Sequence, residues 1–138
     1  MTEWVATSID ISDDTFILSS VSSVAAVVRD ESRWRQWWPD RVLTVYSDRG
    51  DKGLRWTVAG EFVGSSEIWI EESVPGVIVH YYLRVDPTRE GSSHHKQSLT
   101  GSPRSQRFLA KAHHRQVTTW KRIIWDIKDE LEGRKHLA

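Results

Sequence analysis

The segment Trp34-Arg35-Gln36-Trp37-Trp38-Pro39-Asp40 constrains this chain more than any other stretch. It ends a short helical run, because Pro39 lacks an N–H and forces the residue before it out of the helical region. Strand patterning follows for about fifty residues, and a single long amphipathic helix closes the chain. The resulting order is a strand, two short helices, an antiparallel meander and a final helix. A sheet assembled that way has one helix to bury its apolar face against.

The periodicities supply the elements. Val5, Thr7, Ile9 and Ile11 alternate with Ala6, Ser8 and Asp10, and Phe16-Ile17-Leu18 resumes after Asp13-Asp14, so a first strand with a bulge or bend at the aspartates is expected. Ser19 or Ser20 caps a helix to about Val28, and Asp30 opens a second one carrying the tryptophans. Val42 to Tyr46, Leu54 to Ala59, Ser66 to Ile70 and Val77 to Val85 read as strands joined by Gly- and Pro-marked turns. Residues 87–103 form a polar Gly/Ser/His stretch that reads as a lid or a disordered insert. Leu109, His113, Val117, Trp120, Ile124, Ile127 and Leu131 then trace one stripe of a helix that stops at Gly133.

Composition removes whole classes of function. The 138 residues make one domain, 1–138, of net charge zero, which points to neither nucleic acid nor an acidic partner. Cysteine is absent, excluding disulfides, thiolate metal sites and a cysteine nucleophile. His94-His95 and His113-His114 are adjacent pairs, not the i, i+4 pairs that chelate on one helix face, so no metal is expected. No apolar run spans a membrane and Met1-Thr2-Glu3-Trp4 does not open a signal peptide, so the chain reads as cytoplasmic. Lys and Arg crowd Arg84 to Arg115, but Phe108 is the only aromatic ring there besides histidine, which argues against a nucleic-acid strand on that segment. No nucleophile elbow, phosphate loop or dinucleotide fingerprint occurs, so no cofactor is expected.

Several pieces of the chain resemble the START-like superfamily, in particular an actinobacterial subgroup of the polyketide cyclase/dehydrase and lipid transport type. They are Ala26-Val27-Val28-Arg29-Asp30 leading to Trp34–Pro39, Lys52-Gly53-Leu54-Arg55-Trp56-Thr57-Val58, Gly60-Glu61, Gly64, Glu67-Ile68-Trp69, His80-Tyr81-Tyr82-Leu83-Arg84 and Trp120-Lys121-Arg122. The resemblance implies an α+β helix-grip fold, a curved antiparallel sheet wrapped on the C-terminal helix around an apolar cavity. Members commonly carry two more strands before the last helix. Here the polar stretch 87–103 stands in their place, leaving the sheet short on one side, and a bare strand edge points to a homodimer.

The expected ligand is an apolar or aromatic small molecule, lipid or polyketide-like, between sheet and helix. Trp56, Val58, Ser66, Ile68, Val79 and Tyr81 would line it from the sheet, and Val117, Trp120 and Ile124 from the helix. The same tryptophans serve equally as core, since burying one is worth roughly 4–6 kcal/mol gross. A cyclase or dehydratase would need an acid or base in that space, for which His113, Tyr81 and Glu61 are the candidates. A third reading is an interaction module without a small ligand.

Overall fold

The computed structural model describes residues 7–89, 92–97 and 101–133. Strand β1 (Ile9–Ile17) leads to helices α1 (Val21–Val28) and α2 (Glu31–Trp37). Strands β2 (Arg41–Asp48), β3 (Gly53–Gly60), β4 (Phe62–Ser73) and β5 (Gly76–Pro87) follow, and then helix α3 (Pro103–Glu132). The strands form one curved antiparallel sheet in the order β1-β5-β4-β3-β2. This is the expected α+β helix-grip arrangement. Val5 lies outside the described residues.

Local chemistry sets the boundaries. Ser20 and Asp30 cap α1 and α2, accepting from the backbone N–H of Ser23 and Ser32. Trp38 leaves helical geometry just before Pro39. Ser102 caps α3 with Pro103 in its first turn, and Gly133 ends it in the left-handed region. Gly53 sits at φ 120°, and a Cβ there would stand 1.9 Å from the Ile68 carbonyl oxygen, so only glycine lets β3 start against β4.

The expected bulge in β1 is absent: Ile9 to Ile17 pair with Val85 to Val77 in unbroken register. Asp13 keeps its inward direction because its carboxylate is satisfied there. It accepts a 2.9 Å bond from Trp120 Nε1 and pairs with the Lys121 ammonium. The irregularity falls in β2 instead, between Val45 and Ser47.

The sheet expected to be short on one side has five strands and no open side after Val85. β5 pairs directly with β1, so the sheet is narrower but has no gap there. Residues 88–89 and 92–97 do not add a strand; an isolated bridge pairs Thr88 with Lys96. Thr88 Oγ1 donates to the Gly60 carbonyl at 2.8 Å and Gly60 N donates to the Ser93 carbonyl at 3.0 Å, which pins this segment on the β3–β4 corner.

The two outer strands differ. α3 runs beside β1, where Lys128 Nζ donates to the Phe16 carbonyl and Leu18 N to Glu132. β2 is flanked by β3 alone and exposes Val42, Val45 and Tyr46. The core lies between the inner sheet face, α1, α2 and α3. No helix among the described residues is long and apolar enough to cross a membrane.

Candidate functional site

The nine residues expected to line a cavity do converge. Trp56, Val58, Ser66, Ile68, Val79, Tyr81, Trp120 and Ile124 are buried, and Val117 is half-buried. What they form is a packed interior. The Tyr81 ring stacks on Trp120 with centroids 3.9 Å apart and planes 10° from parallel, which leaves no space for a guest between them. Trp38 lies parallel to both rings at 6.1 and 6.4 Å. Trp34 and Trp38 meet Trp56 edge-on at 5.1 and 6.2 Å. Stacked and edge-on rings thus occupy the space between β5, α2 and α3 at Tyr81, Trp38, Trp56 and Trp120.

The interior indoles are unequally satisfied. Trp34 Nε1 donates to the Val28 carbonyl at 2.6 Å, and Trp120 Nε1 to Asp13. Trp38 Nε1 and Trp56 Nε1 are buried with no hydrogen-bond partner among the described residues. Each such donor costs about 1–3 kcal/mol, so an acceptor delivered to it would be held.

At one end of the interior lies a cleft of about 310 Å³, with Trp37 and Trp38 as aromatic walls and Asp40, Arg41, Glu61, Arg115, Gln116, Thr119 and Arg122 as its polar groups. Backbone geometry builds it. The turn after α2 is held by Arg41 N donating to the Trp38 carbonyl and by Glu61 N donating to the Asp40 carbonyl. That starts β2 with Arg41 on the inner face, in phase with Leu43. From α3, Ala112, Gln116 and Trp120 share one buried face at a spacing of four residues, and Gln116 arrives opposite Arg41.

Arg41 is only 9% exposed. Its guanidinium donates to Tyr81 Oη at 3.2 Å and to Gln116 Oε1 at 2.5 Å, and stacks on the Trp38 ring at 4.8 Å. Every one of these partners is neutral, and Arg41 makes no ion pair among the described residues. A buried cation ordinarily has an anion beside it, because dehydration is otherwise uncompensated. Gln116 passes the network on, donating from Nε2 to Glu61 Oε1 at 3.4 Å. Glu61 is exposed as a residue, yet partial dehydration of its carboxylate and the nearby Asp40 raise its pKa, opposed by Arg115, Arg41 and the Gln116 bond. Arg115 and Arg122 leave the cleft with more cations than carboxylates.

Of the three acid/base candidates, Tyr81 and Glu61 therefore belong to one chain of contacts through Arg41 and Gln116. His113 does not: it is exposed, one residue and about 100° around the helix from the buried face of Ala112 and Gln116. Arg41 and Gln116 carry no sequence motif. The available signal was phase alone, since Arg41 continues the inward alternation of Leu43 and Gln116 lies four residues before Trp120. No group of three or more metal-binding side chains occurs among the described residues.

No family model matches the chain. No curated protein matches it either. Solved structures do. The chain is similar to the Aha1 dimer from Colwellia psychrerythraea, at 15% identity over 92% of this chain and 99% of that one, with TM-score 0.58. It is similar to a polyketide-cyclase-like protein from Corynebacterium glutamicum, at 15% identity over 94% and 97%, with TM-score 0.55. A START superfamily protein from Mycobacterium smegmatis matches at 12% identity over 91% and 99%, with TM-score 0.54. At these identities the likeness is one of fold, and the fold is START-like.

Proposed function

We propose that this START-like protein binds a small molecule with a flat or apolar body and an anionic end, lipid or polyketide-like in class, at the mouth of its grip. Arg41 carries the reading: a buried guanidinium with neutral partners only, facing a cleft walled by indoles. The ligand's anion makes the direct ion pair that Arg41 lacks among the described residues, and its body lies on Trp37 and Trp38. The solved relatives support a hydrophobic-ligand scaffold in general, through the START and polyketide-cyclase-like descriptions they carry. Titration with 1-anilinonaphthalene-8-sulfonate and with N-phenyl-1-naphthylamine, which lacks the sulfonate, tests it. The anionic probe binds at least about tenfold tighter, the ratio expected of one charge-assisted contact. Equal affinity for the two would end the proposal.

Turnover of such a ligand, as in a cyclase or dehydratase, is the second reading. Glu61 favours it, as a carboxylate of raised pKa inside the same cleft. Loss of polyketide dehydration on Glu61→Gln with binding retained is its signature.

The same reading includes a homodimer through β2. The strand carries no Lys or Pro to blunt its edge, and Val42 and Tyr46 are 59% and 56% exposed. Antiparallel pairing with a second copy about Thr44 sets Val42 against Tyr46 on one face and Leu43 against Val45 on the other. Between Val42 and Tyr46 that register opposes no charged residues. The similar Aha1 structure is itself a dimer.

A further inference from the structure

The outer face of the sheet, remote from α3, should be a plain solvated surface. Instead it holds a cleft of about 550 Å³, lined by Tyr46, Trp69, Tyr82, Arg49, Arg55 and Arg84 around Ser65 and Glu67. The register explains the depression. Arg55, Glu67 and Tyr82 stand in one cross-strand row, and Ser65 and Arg84 in the next, so small Ser65 sits among taller neighbours. Ser66 turns its hydroxyl inward to the Tyr82 carbonyl and adds no height.

The rings and the cations are both available. Tyr46 is exposed, and Tyr82 and Trp69 are half-buried. Trp69 is already used as a stacking surface, by His80 at 4.4 Å. Arg55 gives only its Nε to Glu67, at 2.8 and 3.2 Å, and its two terminal nitrogens make no further bond among the described residues. Arg84 lies over Tyr82 at 5.7 Å and meets Asp10 only at 3.6 Å. The Arg49 guanidinium makes no hydrogen bond or ion pair among the described residues. Three guanidinium groups against Glu67 and Asp10 leave the rim net cationic. Rings on a sheet face with arginines at the rim form the stacking-and-phosphate arrangement that holds unpaired nucleotides.

The geometry points to a second binding site on the outer sheet face for a heteroaromatic ring carrying a phosphate, a nucleotide held by stacking on Tyr82 and Tyr46 and by Arg49, Arg55 and Arg84. Such a ligand arrives free or as a residue of a single strand.

Isothermal titration with AMP, adenosine, ribose 5-phosphate and hexa-adenylate tests this. Adenosine and ribose 5-phosphate each bind at least about tenfold more weakly than AMP, because each lacks one half of the recognised chemistry. Arg49→Ser, which breaks no side-chain hydrogen bond or ion pair among the described residues, weakens AMP about five- to tenfold and lowers the salt slope for hexa-adenylate by about one. Tyr82→Leu weakens AMP about tenfold with the circular dichroism spectrum unchanged. Arg115→Ser, at the grip mouth, leaves AMP affinity unchanged. Hexa-adenylate binding more than about tenfold tighter than AMP identifies the single strand as the source, and equal binding identifies the free nucleotide. No heat with any probe, binding that survives Arg49→Ser and Tyr82→Leu together, or binding lost on Arg115→Ser would overturn the assignment.

Discussion

Replacing Arg41 by Met separates a ligand anchor from a structural strut. Met keeps the apolar stem and removes the charge. The folded protein loses two hydrogen bonds from a charged donor, to Tyr81 Oη and Gln116 Oε1, each worth about 1.5–3 kcal/mol. It also loses the contact with Trp38, about 2 kcal/mol when desolvated. Against this, the several kcal/mol cost of keeping an ion dehydrated disappears. The losses come to about 5–8 kcal/mol, the same order as the dehydration cost, so urea unfolding should place Arg41→Met within about 3 kcal/mol of wild type. Binding responds differently. A charge-assisted contact of about 1.5–3 kcal/mol is a factor of roughly 10–150. Affinity for 1-anilinonaphthalene-8-sulfonate should fall by that factor, while N-phenyl-1-naphthylamine stays within about twofold. A stability loss above about 4 kcal/mol would identify Arg41 as one half of a structural pair, and equal losses for both probes would refute its role as anion receptor.

Three further outcomes follow. Burial pushes the His80 pKa down, but hydrogen bonds to Glu71 at 3.0 Å and Asp14 at 2.6 Å outweigh it and the net shift is upward. Its contribution is therefore complete below the ordinary histidine range and lost as pH rises through the folded value, so His80→Gln should cost more stability at about pH 5.5 than at about pH 9; an equal cost at both would contradict the ion-pair reading. Glu61, raised by dehydration, favours the fold while protonated and loses that favour as pH rises through its folded value, so Glu61→Gln should gain on wild type in urea midpoint between about pH 4 and pH 7. In this cysteine-free chain, Thr44→Cys should oxidise to a covalent dimer within the reach of a disulfide, with Thr57→Cys on the neighbouring strand as the monomeric control; a monomeric wild type by light scattering, or equal cross-linking of both variants, would remove the β2 interface.

Apolar periodicity carried most of the fold. The meander, the two short helices and the long α3 all appear where alternation and i, i+4 spacing put them, because burial of apolar surface decides those elements. Polar residues that stay buried were illegible. Asp13 looked like a bulge because a carboxylate breaks the alternation, and nothing local announces that Trp120 and Lys121, over a hundred residues away, will satisfy it. Nothing local announces Gln116 or Arg41 either. His113 stands four residues from Leu109 and Val117, a spacing that puts it on the apolar stripe. Ala112 and Gln116, small and polar respectively, hold that face, so the apolar residues alone misplaced it by one position. The tryptophans were legible as a cluster, but whether stacked rings leave a void depends on distances no spacing rule encodes.

The most direct test is a crystal structure of the protein with a bound aryl carboxylate such as 2-naphthoate. The carboxylate should lie on the Arg41 guanidinium with the naphthalene against Trp37 and Trp38, and the Tyr81–Trp120 stack should stand unbroken at its 3.9 Å separation. A naphthalene lodged between β5 and α3, with those two rings prised apart and Arg41 untouched, would contradict the account.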